Sequence, residues 1–189
     1  MVLAGVALLV AVVLGYATGG SLDRLGSLPL GSRRLVWAAL AAQLVGALVG
    51  GPLYPVGLAV SAVLVGRFLL SNRGIRGTGL VALGLLSNAV VVGLNGAMPV
   101  SVVAAGKAGT TTQHILAGDD PRHEIAGPRT RLRPLGDVVP ERSPRWPEVV
   151  SPGDILIAAG LGQLVLIGMR RGRGPAKHAR GRTASPAAV

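Results

Sequence analysis

Ser87-Asn88-Ala89-Val90-Val91-Val92-Gly93-Leu94-Asn95-Gly96-Ala97-Met98-Pro99-Val100 is the stretch on which the reading of the whole chain turns. A long apolar helix runs into it carrying two amides, Asn88 and Asn95, and then meets an Asn-Gly turn and a proline, which end it. Asn88 and Asn95 are seven residues apart, nearly two helical turns, so both amides leave the helix on almost the same side. Gly84, four residues before Asn88, lies on that side too. Amides facing lipid are costly, so this side is expected to face the interior of a bundle, either for structural hydrogen bonding or as part of a polar pocket.

Lipid enters the argument through the rest of the chain. Half of the 189 residues are apolar and only 14% are charged, and the charges avoid long blocks. A hydrocarbon core about 30 Å thick takes roughly 20 mostly apolar residues as a helix. Five runs approach that length, over residues 2–18, 35–49, 53–70, 78–94 and 151–169, and none has a polar face. The expected fold is an all-α integral membrane protein with five transmembrane helices and one long extracytoplasmic loop between helices 4 and 5. Its parts are a four-helix membrane region (1–96), the loop (97–150), the fifth helix (151–169) and a disordered, basic cytoplasmic tail (170–189).

The net charge of +11 reports topology more than function. Twelve of nineteen Lys and Arg fall in segments 23–34, 67–76 and 170–182 beside a single acid, Asp23, whereas the other seven share 97–150 with six acids. That is the positive-inside asymmetry, which tolerates charge in a long translocated loop. The basic joints are therefore placed in the cytoplasm, the amino end outside and the carboxyl end inside, in a plasma membrane. With five aromatic residues in the chain, nucleic acid is not an expected partner. The expected partners are anionic lipid headgroups near Arg73, Arg76, Arg170 and Arg171, and a membrane-protein partner or a second copy of the chain. The amino end lacks a basic n-region, so the first run is read as a retained span. No cysteine is present to report on redox compartment.

Along the spans, Ala11, Gly15 and Gly19, and again Ala42, Gly46 and Gly50, recur every four residues, the spacing that lets membrane helices approach closely. Gln43 lies at mid-membrane depth and must find a partner, as glue between helices or as a ligand or lumen contact. Trp37, Tyr54 and Trp146 suit the interfaces. Ser151-Pro152-Gly153-Asp154 reads as a helix start, with Ser as N-cap, Pro in the first turn and an acid favourable to the dipole.

Chemistry-bearing motifs are sparse. The glycines of 71–79 have neither a Walker Lys-Ser/Thr nor a preceding strand, the three histidines are scattered, and HExxH, CxxC, EF-hand and GxSxG patterns are missing. No catalytic residue, metal ligand or cofactor is assigned. What remains is a polar set on one side of the bilayer, Asn95, Lys107, His114, Asp137 and Asp154, which would make a ligand-binding pocket if the loop folds over the helix ends. Asn88, Met98, Pro99, Ser151 and Gly153 form the structural motif around it.

Asn95-Gly96-Ala97-Met98-Pro99, Leu135-Gly136-Asp137-Val138-Val139-Pro140 and Ser151-Pro152-Gly153-Asp154-Ile155-Leu156, in this order around one loop, resemble the bacterial, mainly actinobacterial, membrane proteins grouped as domain of unknown function 5317. The resemblance runs from the first span to about Met169, is weaker over 120–129, and implies fold and placement without a reaction. Three functions follow as expectations. The first is a non-enzymatic binding or assembly component with a polar outer face, the second a membrane enzyme acting on a lipid-linked or cell-envelope substrate through Asp137 or Asp154, and the third a small transporter.

Overall fold

The computed structural model describes residues 2–49, 53–117, 120 and 122–171. Helices dominate: α1 (Val2–Ala17), α2 (Leu22–Gly26), α3 (Arg34–Val49), α4 (Leu53–Ser71), α5 (Thr78–Asn95), α6 (Val102–Ala108), α7 (Gln113–Leu116) and α8 (Pro152–Arg170). Two of them, α5 and α8, are long and apolar enough to cross a membrane. Helix α1 and the apolar stretches Arg34–Gly46 and Ala59–Ser71 are shorter. Gly50 of the four-residue spacing and the tail over 172–189 lie outside the described residues, as do the side chains of Tyr54 and His114.

Helix α8 lies between α1 and α5, and α3 packs chiefly on α4. Helices α1 and α8 are parallel, because the Val2 amide donates to Glu148 Oε1 (2.8 Å) at one end and the Ser21 amide to the Met169 carbonyl (3.0 Å) at the other. Ala11 and Gly15 are buried in this contact, and a Cβ on Gly15 would stand 2.5 Å from the Met169 sulfur. Gly19, by contrast, has open space around it and a positive φ of 77°, so it serves the turn and not the helix pair.

Helices α5 and α8 are antiparallel and approach backbone to backbone. Gly84 faces the Gly153 carbonyl and Ile157, while Gly77 and Gly160 face each other. Small residues at these positions remove the side chains that would hold two helix axes apart. The α3–α4 hairpin uses the same device, with a Cβ on Gly57 meeting the Ala42 carbonyl oxygen at 2.5 Å and the Gly46 Cα at 3.1 Å. Asn72, buried at the end of α4, ties this hairpin to the segment before α3 by accepting from the Gly31 amide (2.9 Å) and donating to its carbonyl (3.1 Å).

The all-helical expectation is corrected in 97–150, which folds into short elements of its own. Strand β1 (Met98–Val100) pairs in parallel with β2 (His123–Ile125), and β3 (Val139–Glu141) pairs antiparallel with β4 (Glu148–Val150). Pro99, Pro140 and Pro147 break helices there and β-branched valines favour extended backbone. Helix α6 then packs on β3 and β4, burying Ala104, Ala105 and Ala108. A short helix, α2, also forms between α1 and α3, with Ser21 as its N-cap.

The backbone contact of α5 and α8 yields a paired prediction. A Cβ on Gly160 would stand 2.7 Å from both the Gly77 carbonyl oxygen and the Val81 nitrogen, whereas Gly93 has nothing within 4 Å. Gly160→Ala is expected to destabilise the purified protein by about 1–3 kcal/mol, and Gly93→Ala to leave its stability unchanged or raise it by about 0.5–1 kcal/mol. Unfolding midpoints that fall equally for both would remove the packing account.

Candidate functional site

The Ser151 end of α8 is organised by one side chain from α5. Ser151 caps α8 through a reciprocal pair, its Oγ accepting from the Asp154 amide (3.0 Å) and Asp154 Oδ2 accepting from the Ser151 amide (3.0 Å). Asn88 then joins both members, its Nδ2 donating to Asp154 Oδ1 (2.8 Å) and its Oδ1 accepting from the Ser151 hydroxyl (3.0 Å). A Cβ on Gly153 would collide with Asn88 Oδ1, so only glycine leaves the amide its place. Asn88, Ser151, Gly153 and Asp154 thus form one closed network between two helices.

Asp137 comes to the same region from the loop. Its amide donates to the Pro99 carbonyl (2.9 Å) and its carbonyl accepts from the Ser101 amide (2.9 Å), so it extends the parallel pairing beside β1. A Cβ on the preceding Gly136 would stand 2.5 Å from the Pro99 oxygen, and Met98 and Pro99 are themselves buried. Burial and then the nearby charge of Asp154 push the Asp137 carboxyl up to about 7. His123 on β2 works in the opposite direction, with Nε2 3.7 Å from Asp137 Oδ2.

His123 is itself held by Asp120, whose Oδ2 lies 2.7 Å from Nδ1. Burial acts against the Asp120 charge, but hydrogen bonds from His123 and Arg122 prevail and hold its carboxyl low, at about 2. An ionised Asp120 favours the proton on Nδ1 and turns the Nε2 lone pair of a neutral His123 toward Asp137. The result is a carboxylate, an imidazole and a proton-retaining carboxyl in line, with Asp154 beyond them.

The other residues expected at a pocket have separate places. Asn95 donates to the Arg131 carbonyl (3.0 Å) and accepts from the Arg131 amide (2.8 Å), holding the loop over the end of α5 like one rung of a sheet. It also borders a shallow groove with Glu124, Pro128, Arg129 and Arg131. Lys107 is exposed on α6, and its carbonyl accepts from Arg142 Nε (2.7 Å). His114 sits on α7. Among the described residues no cluster of His, Cys, Asp or Glu has the geometry of a metal site.

Residues 31–166 match the family described as Family of unknown function (DUF5317). The chain belongs to this family. No curated protein and no solved structure matches it. The match starts between α2 and α3, so α1, which the sequence resemblance included, precedes the DUF5317 region. The Asn88–Ser151–Asp154 network and the Asp120–His123–Asp137 line both lie within it. The second line is not legible in the sequence, because His123 and Asp137 are fourteen residues apart and share no motif. The nearest local signal is the Asp120–His123 spacing of three inside a turn-rich segment.

Two outcomes are expected. Asn88→Ala leaves the Ser151 hydroxyl and an Asp154 oxygen without their partner and should cost about 1–3 kcal/mol in the unfolding midpoint. Asp137 binds its proton up to about pH 7 when folded and to about 3.8 when unfolded, so its contribution to stability is complete at low pH and is lost as pH rises through about 7. Asp137→Asn should therefore slow hydrogen exchange in 97–150 at about pH 8 and flatten its pH dependence. Faster exchange at about pH 8 in the variant would contradict this.

Proposed function

We propose that this chain is a five-span plasma-membrane protein of a bacterium, amino end outside and carboxyl end inside, whose segment 97–150 caps the outer helix ends as a binding or assembly surface without enzymatic activity. The observation that carries the membrane reading is the outward face of the helices. Leu9, Val13, Leu44, Leu48, Val63 and Leu86 are all more than half exposed and fall on four different helices. A water-facing surface of that kind would aggregate, and a lipid-facing one is ordinary. The arginine-rich joints and an exposed Trp146 and Trp37 support the orientation.

The exposed Lys107 on α6 and the Arg129–Arg131 groove beside Asn95 support the binding reading, with Asp137 buried within the cap. Anionic headgroups at Arg73, Arg76, Arg170 and Arg171 belong to the opposite face in this arrangement. An enzyme reading would use the proton held by Asp137, but that residue is only 5% exposed, out of reach of a substrate. Binding is therefore preferred over catalysis.

The absence of cysteine from the chain makes the test direct. In intact cells a membrane-impermeant maleimide should label Trp146→Cys and should reach Arg73→Cys only after permeabilisation. Envelope components captured by the wild type should be lost, by about fivefold or more, with Arg129→Ala/Arg131→Ala at equal protein level. Labelling of Arg73→Cys from outside would reverse the topology, and unchanged capture would remove the cap as the binding surface.

A further inference from the structure

Two amides in the five long helices, α1, α3, α4, α5 and α8, have no partner among the described residues. Gln43 on α3 and Gln163 on α8 are both exposed, and neither makes a hydrogen bond within the described chain. The other amides on or just past the ends of these five helices are satisfied, since Asn72, Asn88 and Asn95 each make two or more hydrogen bonds. In the membrane proposed above, on which this inference rests, an open carboxamide at mid-depth faces hydrocarbon with two donors and an acceptor unmet.

The two positions match in depth. Gln43 lies nine residues above Arg34 and Gln163 seven residues above Arg170. At 1.5 Å per residue they stand about 13 and 10 Å from the arginine ends of their helices. The match extends along both helices. On α3 the residues 36, 40 and 43, and on α8 the residues 170, 166 and 163, follow the same four-three spacing in opposite chain directions, so Leu40 falls level with Leu166 when Gln43 falls level with Gln163. This is the spacing of an antiparallel helix seam.

Neither face is used within the chain. Helix α3 turns Ala39 and Gly46 inward, with Gly46 against Gly57 of α4, and leaves Val36, Leu40 and Gln43 exposed. Helix α8 gives Gly153 and Gly160 to α5 and Gly162 and Met169 to α1, leaving Ile155, Ala159, Gln163 and Arg170 exposed and Leu166 half-buried. A carboxamide is matched in both donor and acceptor by another carboxamide. A second copy of this chain supplies one at the required height, on a face with the complementary spacing.

We propose that the protein associates with a second copy of itself through α3 of one copy and α8 of the other, Gln43 bonding to Gln163 of the neighbour. Made twice about a two-fold axis normal to the membrane, the contact pairs all four amides and closes the assembly at two copies. Apolar contacts such as Leu40 on Leu166 flank each amide pair, while the cap and the α5–α8 network stay free of the seam.

Single-cysteine variants in this cysteine-free chain test it in carbonate-washed membranes. Leu40→Cys and Leu166→Cys, carried on differently tagged copies in the same cell, should form a disulfide-linked dimer on mild oxidation, and each variant expressed alone should form little. Gln43→Leu or Gln163→Leu added to the pair should lower the linked fraction about three- to tenfold, the size expected of an interhelical amide bond in a membrane. Gln113→Leu, on the cap, should not. Membrane-borne protein with no mixed dimer, or linkage only within one copy in the doubly substituted chain, overturns the inference while the membrane reading stands. Linkage indifferent to both Gln→Leu changes overturns the amide pairing. Protein released into the carbonate supernatant removes the membrane reading and this inference together.

Discussion

The Asn88 carboxamide lies in the space that Gly153 leaves empty, and much of the structure depends on that fit. Helix α5 reaches α8 closely enough for Gly84 to face the Gly153 carbonyl, and at that separation the amide spans from one helix to the cap of the other. Close approach and polar satisfaction are therefore one constraint. Glycine permits the distance, and the distance permits the hydrogen bonds that make an amide tolerable in an apolar pair of helices. Because Ser151 and Asp154 are engaged on both sides, the start of α8 is fixed in position as well as in conformation.

The cap inherits its placement from this point. The chain leaves α5 at Asn95 through Gly96, which has a left-handed conformation, and returns through β4 directly into the Ser151 cap. Between these two anchors, the segment satisfies its backbone by pairing with itself, β1 with β2 and β3 with β4, and Asp137 completes the first pair. That completion carries the Asp137 carboxyl into an enclosed position, where it keeps its proton and His123 faces it. An unusual acid is thus a consequence of backbone accounting, with chemistry available to it only if the cap opens.

The helices divide into a close-packed group and a looser pair. Helices α1, α5 and α8 share glycine contacts along their length, whereas the α3–α4 hairpin meets α5 at the turn after α4, where the Thr78 hydroxyl donates to the Asn72 carbonyl (3.1 Å). The residues left outward on both parts are those whose solvent matters most. They are large apolar side chains together with the two glutamines, Gln43 and Gln163, that find no hydrogen bond among the described residues.

The sequence by itself determined the nature of the elements. Apolar length and the Asn95-Gly96 stop marked α5, and the Ser-Pro-Gly-Asp start marked α8, because caps and helix breaking are local properties of neighbouring residues. The strands of the cap were not visible there, since each is three residues long and exists only through its partner. Nor was the meeting of His123 with Asp137, or the separate employment of Asn95 and Lys107, readable from spacing. Tertiary structure decided these because they depend on which distant backbones pair, and on how near two helices come when glycines face each other.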